Sequence, residues 1–417
     1  MQDVDLALDA RRTWRRWTLL LAALGPGIMV MLADTDAGSI ITAAQSGAVW
    51  GYRMVLPQLI LIPILFLVQE VTVRLGIVTR KGHGELIREH FGQGWALLSV
   101  GTLFLSAVGA LVTEFAGIAG VGELFGVPGS ISVSIATVFL IALGLSGSYR
   151  RVERVGIAIG FFELAFVAAA LMAHPSAAGL AHGLTSAPVG NAGYMLLLAA
   201  NVGAVIMPWM VFYQQGAVAD KGLLPANLRA ARWDTLLGSV VTQVVMIAVV
   251  VAVAATIGRH GLHRPLDDVQ EIAGALTPFL GSVGGRVLFG LGMLGASIVA
   301  ALVVSIAGAY GIGEAFGLAH SLNSRVGEAK AFYGVYTLAH VGGALVVMLN
   351  LANLVNVNID VEVMNAMLLP IVLGFLLALE ARALPRRWRM RGVKKGVVWS
   401  LSGVVMLFGL YMAVRVL

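Results

Sequence analysis

The amino-acid sequence predicts an all-α membrane protein in which the second half of the chain repeats the first half in inverted orientation. Of its 417 residues, 59% are hydrophobic and only 12% are charged, whereas soluble globular proteins contain about 25% charged residues. Two of the apolar runs, the first and the sixth, are interrupted near their centres. Because five spans separate the two interruptions, the second half would cross the membrane in the opposite direction to the first.

Eleven apolar runs are long enough to cross a bilayer as helices. They lie at residues 17–47, 53–76, 95–125, 130–148, 153–173, 192–218, 235–257, 285–318, 332–352, 360–381 and 396–415. We therefore expect a single transmembrane domain over residues 1–417. It would comprise a cytoplasmic tail at 1–16, a first repeat at 17–173, an inverted second repeat at 192–381 and an extra helix at 396–415.

Arginine and lysine residues are concentrated in alternate loops. One set of loops holds the arginines before residue 17 and the basic residues at 80–88, 150–154, 221–232, 325–330 and 382–395, whereas the opposite loops hold little beyond Arg53, Arg259 and Arg264. The positive-inside rule then places the N-terminus in the cytoplasm and the C-terminus outside, in a prokaryotic-type cytoplasmic membrane. Topology thus explains the net charge of +6, so nucleic acid is not an expected partner. The absence of cysteine excludes disulfides and thiolate metal ligands.

The interruption of the first run carries two carboxylates. Asp34 and Asp36 lie near the centre of the run and are followed at once by Ala37, Gly38 and Ser39. A carboxylate at the middle of a bilayer costs about 2.5–3.5 kcal/mol, so it usually has a function. Glycine and small polar residues beside it predict that the helix unwinds and exposes backbone carbonyls. A carboxylate among free carbonyl oxygens is typical of a cation site.

The interruption of the sixth run is the sequence Gly203-Ala204-Val205-Ile206-Met207-Pro208. Proline inside a helix removes a hydrogen bond and clashes with the preceding turn, so it predicts a kink or a break. A single proline in a membrane helix is usually a plain kink. Interrupted segments at matching positions of two halves, however, indicate the binding site of a secondary transporter.

These motifs together resemble the Nramp family of divalent metal transporters over nearly the whole chain. The resemblance rests on LGPGIMV at residues 24–30, the Asp36-Ala37-Gly38-Ser39 motif, Gly51-Tyr52, the sequences at 74–79 and 88–92, and Gly203 to Pro208. It implies a LeuT-like fold with a metal ion held between the two breaks. The ligands it implies are Asp36, Met207 and the carbonyl groups of Ala33 and Ala204, with Ser39 assisting.

The ligand chemistry agrees with this assignment. Carboxylate and carbonyl oxygens suit Mg²⁺, Mn²⁺ or Fe²⁺, and a thioether adds a preference for softer transition metals. The alternative for Met207 is a flexible side chain that fills a gap between helices. The ion would be the transported substrate, so we expect no cofactor, no cofactor-binding residue and no catalytic residue.

Several positions depart from the family pattern. Ser39 replaces an asparagine, Trp209 replaces a histidine, and Gly117 replaces one of two acids in the third span, of which Glu114 remains. The paired arginines of the ninth span are absent from residues 332–350. These positions form the proton route of the family, and neither tryptophan nor glycine titrates near neutral pH. The pattern therefore resembles the Nramp-related magnesium/manganese transporter branch, in which the ion moves without a proton.

Other polar residues are candidates for the ion pathway. They are Asp360 and Glu362 in the tenth span, Tyr213 and Gln214 in the sixth, and Glu114 and Trp209. The tenth-span acids would alternatively face water at the outer end of their helix, and the sixth-span polar groups would alternatively join helices. We expect Asp34 to be a vestibule charge, and His83 and His90 to be solvated surface groups.

The function predicted is the transport of Mg²⁺ and/or Mn²⁺ by alternating access, in a monomer whose partners are the ions and the lipid bilayer. The alternatives are a proton-coupled Mn²⁺/Fe²⁺ importer and a LeuT-like symporter of an organic solute. An enzyme is not expected, because the sequence has no HExxH motif, no supported nucleophile elbow and no cofactor fingerprint. A channel is not expected either, because paired helix breaks favour alternating access.

Overall fold

The computed structural model describes residues 25–257, 264–276, 281–349 and 354–416, and every regular element within these ranges is a helix. In chain order the α-helices are α1 (Pro26–Asp34), α2 (Ala37–Trp50), α3 (Val55–Thr79), α4 (His83–Phe91), α5 (Gln93–Leu124), α6 (Gly129–Gly144), α7 (Tyr149–Gly160), α8 (Ala165–Met172), α9 (Ala177–Thr185), α10 (Ala192–Val205), α11 (Pro208–Asp220), α12 (Leu228–Ile257), α13 (Val269–Leu276), α14 (Gly281–Phe316), α15 (Lys330–Met348), α16 (Leu354–Arg382) and α17 (Gly392–Val416). The prediction of an all-α chain is confirmed. The start of the first run at Trp17, the tail at 1–16 with its arginines, and Arg259 lie outside the described residues.

The helices follow the predicted spans. The first span is α1 with α2, the fifth is α7 and α8 joined by a 3₁₀ turn, and the sixth is α10 with α11; α3, α5, α6, α12, α14, α15, α16 and α17 are the others. In the described part of the chain nine helical segments are long and apolar enough to cross a bilayer, and α6 is a shorter apolar helix. Three short helices, α4, α9 and α13, lie in the connections.

The break in the first span consists of only two residues, Thr35 and Asp36. The first helix ends at Asp34, and Asp36 adopts an extended conformation before α2 begins at Ala37. The prediction that Ala37 to Ser39 form part of the break is therefore wrong. They form the first turn of α2, because aspartate is a strong N-cap residue and the Asp36 carboxylate accepts the Ser39 N–H.

The break in the sixth span is equally short. Here α10 ends at Val205, Ile206 and Met207 are not helical, and Pro208 opens α11. Proline is favoured at the first position of a helix, where no backbone N–H is needed. In an unbroken helix the N–H of residue 208 would donate to the carbonyl of Ala204. Proline has no N–H, so the Ala204 carbonyl lacks this helical donor.

Close backbone contact fixes the sixth span against the tenth. A Cβ atom on Gly203 of α10 would collide with the backbone carbonyl oxygen of Glu362 in α16 and would lie 2.8 Å from the amide nitrogen of Ala366. Neither obstacle is a flexible side chain. Glycine is therefore required for α10 to approach the part of α16 that carries Glu362.

We expect Gly203→Ala to lower the stability of the protein, because the added methyl group must push two backbones apart. Overpacking of this kind typically costs about 1–3 kcal/mol. Thermal unfolding in detergent would measure the loss as a lower Tm. Gly374→Ala on α16 is the matched control, since no atom lies within 4 Å of its Cβ position; equal Tm values for the two variants would contradict the close contact.

Candidate metal site

Asp36 lies at the junction of the two broken spans and is fully buried. Its Oδ1 accepts the backbone N–H of Ser39 at 2.6 Å. Its Oδ2 is also buried but forms no hydrogen bond within the described residues. A buried, unpaired carboxylate oxygen is costly, and burial of charge is normally offset by an ion partner or a metal. The Asp36 Oδ2 atom is therefore available to coordinate a cation.

The predicted carbonyl ligands lie one on each broken span. In an unbroken helix the Ala37 N–H would donate to Ala33, but here it donates to Glu114 Oε2 at 3.2 Å. The Ala204 carbonyl has lost its helical donor to Pro208, and it accepts the hydroxyl of Ser39 at 2.9 Å. A carbonyl oxygen has two lone pairs, so this bond leaves one available. The hydrogen bond from Ser39 to the Ala204 carbonyl thus connects the first break with the sixth-span break.

Met207 is fully buried and its sulfur already has a partner. The indole Nε1 of Trp209 donates to Met207 Sδ at 3.0 Å. A thioether is a weak acceptor with little capacity for two partners. The bond therefore competes with coordination of a metal by this sulfur, and it is formed by the residue that replaces the family histidine.

Glu362 of α16 lies against the first turn of α2, next to Asp36. A Cβ atom on Gly38 would collide with Glu362 Oε1 and would stand 3.2 Å from Asp36 Oδ1. Glu362 Oε2 accepts the side-chain amide of Asn365 at 3.0 Å, and Asn358 donates to the Gly38 carbonyl at 3.1 Å. These three residues of α16 share one buried face of the helix. Glu362 thus contacts α2 beside Asp36 and does not face water.

Asp360 is not brought to this site. It is exposed on the opposite side of α16 from Asn358 and Glu362, because a two-residue step turns an α-helix by about 200°. Its assignment to the ion pathway is therefore not supported. Of the two tenth-span acids, only Asp360 faces away from the buried side of its helix.

The other predicted pathway residues lie farther along the sixth span. Tyr213 and Gln214 are fully buried on α11, about two turns beyond the break. The side-chain amide of Gln214 donates to Thr235 Oγ1 of α12 at 3.1 Å. Gln214 therefore joins two helices, which is the alternative that the sequence left open.

Two further buried carboxylates surround the break. Glu163, in the 3₁₀ turn of the fifth span, is fully buried, and neither of its oxygens forms a hydrogen bond within the described residues. The sequence analysis did not select it, although an acid inside an apolar run is a signal in itself. Asp34 is 2% exposed, and its Oδ1 is also unpaired. The role of Asp34 as a vestibule charge stays a prediction, and in this structure the end of α1 is enclosed by other helices.

The site therefore contains a buried acidic set of five carboxylates: Asp34, Asp36, Glu114, Glu163 and Glu362. Within the described residues, none of the five forms an ion pair with a basic side chain. Within the same ranges no three acidic or histidine side chains converge closely enough to hold a metal ion by themselves. A cation here would need backbone carbonyl oxygens in addition to carboxylates. Such a mixed oxygen set is what two adjacent helix breaks provide.

The expectation that His83 is a solvated surface group is also wrong. His83 is fully buried, and its Nδ1 lies 3.1 Å from Gln215 Oε1. Burial lowers the pKa of His83 to about 4, with the Gln215 hydrogen bond opposing the shift, so the ring is neutral at physiological pH. His90 is exposed as expected.

The candidate site is closed at both ends. At one end the N–H groups of Gly25 and Gly27 donate to Asp234 Oδ2 at 3.1 and 2.7 Å. At the other end Gln58 donates to Asn201 at 2.5 Å, and Asn201 donates to Ser46 at 2.7 Å. These contacts tie the first span to α12 at one end and to α10 at the other. Both ends of the first span are thus held against neighbouring helices.

Known proteins resemble this chain in both sequence and fold. The divalent metal cation transporter MntH of Klebsiella pneumoniae subsp. pneumoniae is 26% identical over 294 residues, which cover 69% of this chain and 71% of that protein. The structure of the Eremococcus coleocola manganese transporter matches with a TM-score of 0.76 at 20% identity, covering 95% of this chain and 86% of that one. A Na⁺-coupled sialic acid symporter matches with a TM-score of 0.62 at 12% identity, covering 93% and 88%.

These similarities confirm the LeuT-like fold that the resemblance to the Nramp family implies. Together with the apolar helices, they identify an integral membrane protein. The family model for natural resistance-associated macrophage protein-like proteins matches residues 27–415, which is nearly the whole chain. The chain therefore belongs to the Nramp family.

Proposed function

We propose that this protein transports divalent cations, Mg²⁺ and Mn²⁺, across the cytoplasmic membrane by alternating access and without co-transport of protons. The observation that carries the proposal is the unpaired Asp36 Oδ2, buried beside the carbonyl groups of two helix breaks. The ligands would be Asp36, the Ala33 and Ala204 carbonyls and Met207, with Ser39 assisting. The names of the related proteins, a divalent metal cation transporter and a manganese transporter, support the ion class.

The preference for a hard cation follows from the partners of the ligand atoms. The Trp209 indole occupies the Met207 sulfur, so the soft ligand is partly withdrawn. Glu362 adds a carboxylate next to Asp36. Hard, oxygen-rich sites suit Mg²⁺ and Mn²⁺ better than softer transition metals.

The absence of proton coupling is supported by the packing at Gly117. A Cβ atom there would stand 2.8 Å from Ala37 Cβ and 2.6 Å from Ser297 Oγ. The acid of the family therefore has no room at this position, because α5 lies directly against the start of α2. The site would accept and release its ion without a titratable side chain at position 117.

In the proposed topology, the basic loops and the N-terminal end of α1 face the cytoplasm and the C-terminus lies outside. An ion would enter from outside, lose part of its water and neutralise Asp36 in the occluded state. The first and sixth spans would then move against the neighbouring helices and open the site inward. The chain would act as a monomer with no cofactor.

Uptake of Mn²⁺ into proteoliposomes that contain a pH dye tests the proposal, with external Mg²⁺ as the competitor. We expect millimolar Mg²⁺ to reduce Mn²⁺ uptake with no acidification of the vesicle interior. Acidification without competition by Mg²⁺ would instead identify a proton-coupled Mn²⁺/Fe²⁺ importer. No cation uptake at all would leave the organic-solute symporter as the better hypothesis.

Met207→Ala is expected to shift selectivity toward Mg²⁺, because it removes the only soft atom in the proposed ligand set. The ratio of Cd²⁺ to Mg²⁺ uptake should fall by about tenfold, which corresponds to loss of roughly 1.4 kcal/mol of preferential binding. Trp209→Phe is the companion variant. Since it frees the sulfur, it should shift the ratio in the opposite direction. Unchanged ratios in both variants would show that the thioether is not a ligand.

A further inference from the structure

A second polar cavity lies at the far end of the sixth span. It has a volume of about 370 Å³ and is lined by residues that include Gly82, Glu85, Asp220, Tyr310, Glu314 and His320. The candidate metal site lies at the start of α11 and this cavity lies at its end, thirteen residues away. At 1.5 Å per residue the two are about 20 Å apart, so they are separate sites.

Glu314 of α14 is the central group of the cavity. Its side chain is fully buried, and its Oε2 accepts the backbone N–H of Gly84 at 2.8 Å. Its Oε1 is buried and forms no hydrogen bond within the described residues. Gly82, whose Cβ position would collide with this carboxylate, lines the same cavity. A buried carboxylate oxygen without a donor, next to a polar cavity, is suited to interaction with a cation.

The other charged groups of the cavity leave an excess of negative charge. Asp220 accepts the Tyr310 hydroxyl at 2.7 Å and the Leu322 N–H at 2.8 Å, which are both uncharged donors. Glu85 has only a distant ion pair with Lys81, at 3.8 Å. Together with Glu314 these carboxylates face two basic side chains among the lining residues, Arg80 and His320. The cavity therefore attracts cations.

The dimensions of the cavity favour an ion that keeps its water. The three carboxylates do not converge tightly enough to coordinate a metal directly. Six water molecules occupy roughly 180 Å³, so a fully hydrated ion fits within the cavity volume. Mg²⁺ in particular keeps several waters and is commonly held through one or two carboxylates.

We propose that this cavity binds a hydrated divalent cation, held through water by Glu314 Oε1, Glu85 and Asp220, and that the bound ion slows transport. The cytoplasmic location of the site rests on the topology given under the proposed function. An ion there would link α4, the end of α11 and α14. Since α11 is the second half of a broken span, an ion that holds its end opposes the movement that opens the central site. The cavity would thus sense the cation on the side where it is released.

Binding of Mn²⁺ to the purified full chain, followed by electron paramagnetic resonance, tests the site directly. In an Asp36→Ala background the central site is removed, and we expect one Mn²⁺ per chain to remain bound and to be displaced by Mg²⁺. Adding Glu314→Gln should weaken this Kd at least tenfold. The glutamine oxygen still accepts the Gly84 N–H, so the fold is retained. Asp360→Asn, which removes an exposed acid of α16 that does not line the cavity, is the control and should leave the Kd unchanged.

The proposal is overturned if Asp36→Ala protein binds no Mn²⁺, or if Glu314→Gln binds it as tightly as its parent. A transport measurement then tests regulation separately. Mg²⁺ inside the vesicles should slow initial Mn²⁺ uptake, and the ratio of rates with and without internal Mg²⁺ should approach one in Glu314→Gln. Stimulation by internal Mg²⁺ would contradict the regulatory role. If no variant transports while binding persists, the proposed function fails and the cavity site stands.

Discussion

Replacing Asp36 by asparagine is expected to abolish divalent cation uptake while the protein remains folded. Asparagine still offers an oxygen to the Ser39 N–H, the bond that starts α2, so the cap is kept and only the charge is removed. Without that charge the ion would have to leave water for two carbonyl groups, the Ser39 hydroxyl and a sulfur that Trp209 already occupies, with Glu362 as the nearby carboxylate that remains. We expect the rate of Mn²⁺ uptake to fall at least about a hundredfold, equivalent to roughly 2.7 kcal/mol.

The measurement is initial Mn²⁺ uptake by proteoliposomes with matched protein content. Asp360→Asn is the control, because it removes an exposed acid from the helix that carries Glu362 and should leave uptake within about twofold of the wild type. An Asp36→Asn protein that retains a tenth or more of the uptake would show that Asp36 does not bind the transported ion.

The sequence predicted the two breaks because their causes are local. Pro208 forbids a continuous helix wherever it lies, and a carboxylate at mid-membrane has few explanations other than a functional one. The extent of the first break was mistaken because Asp36 acts in two ways. It interrupts one helix, and as an N-cap it immediately starts the next, so Ala37 to Ser39 are helical.

The features that the sequence did not predict depend on packing between distant segments. Glu163 and Asp34 become part of the acidic set only because the fifth span and the end of α1 are enclosed by other helices. The bond from Trp209 to Met207 exists because Met207 is extended and turns its sulfur toward the first turn of α11. His83 lies in a polar stretch of sequence, yet it is buried against α11 through Gln215. No periodicity in a single sequence carries this information.

Removal of the Asp234 carboxylate should open the molecule at the N-terminal end of α1. The carboxylate is 1% exposed and accepts N–H groups from Gly25, Gly27 and Ile28. These are hydrogen bonds from the orphan N–H groups of a helix start to a charged acceptor, each worth about 1.5–3 kcal/mol. Loss of only one such contribution shifts a closed-to-open equilibrium by tenfold or more, since 1.4 kcal/mol corresponds to a factor of ten.

The natural absence of cysteine makes this opening directly measurable. Gln214 is buried and bonded to Thr235, the residue next to Asp234, so a single cysteine at position 214 reports access from this end. We expect a membrane-impermeant maleimide to modify Gln214→Cys at least tenfold faster in the Asp234→Ala background. A cysteine at Gln58, at the opposite end, should react no faster. Asp234→Asn keeps one acceptor and should be intermediate, because it loses the charge but not every hydrogen bond. Equal rates at position 214 in all backgrounds would mean that the hydrogen bonds from the start of α1 to Asp234 do not close this end. The pair Lys221–Glu153, 2.9 Å apart beside Gly25, would then be the next contact to remove.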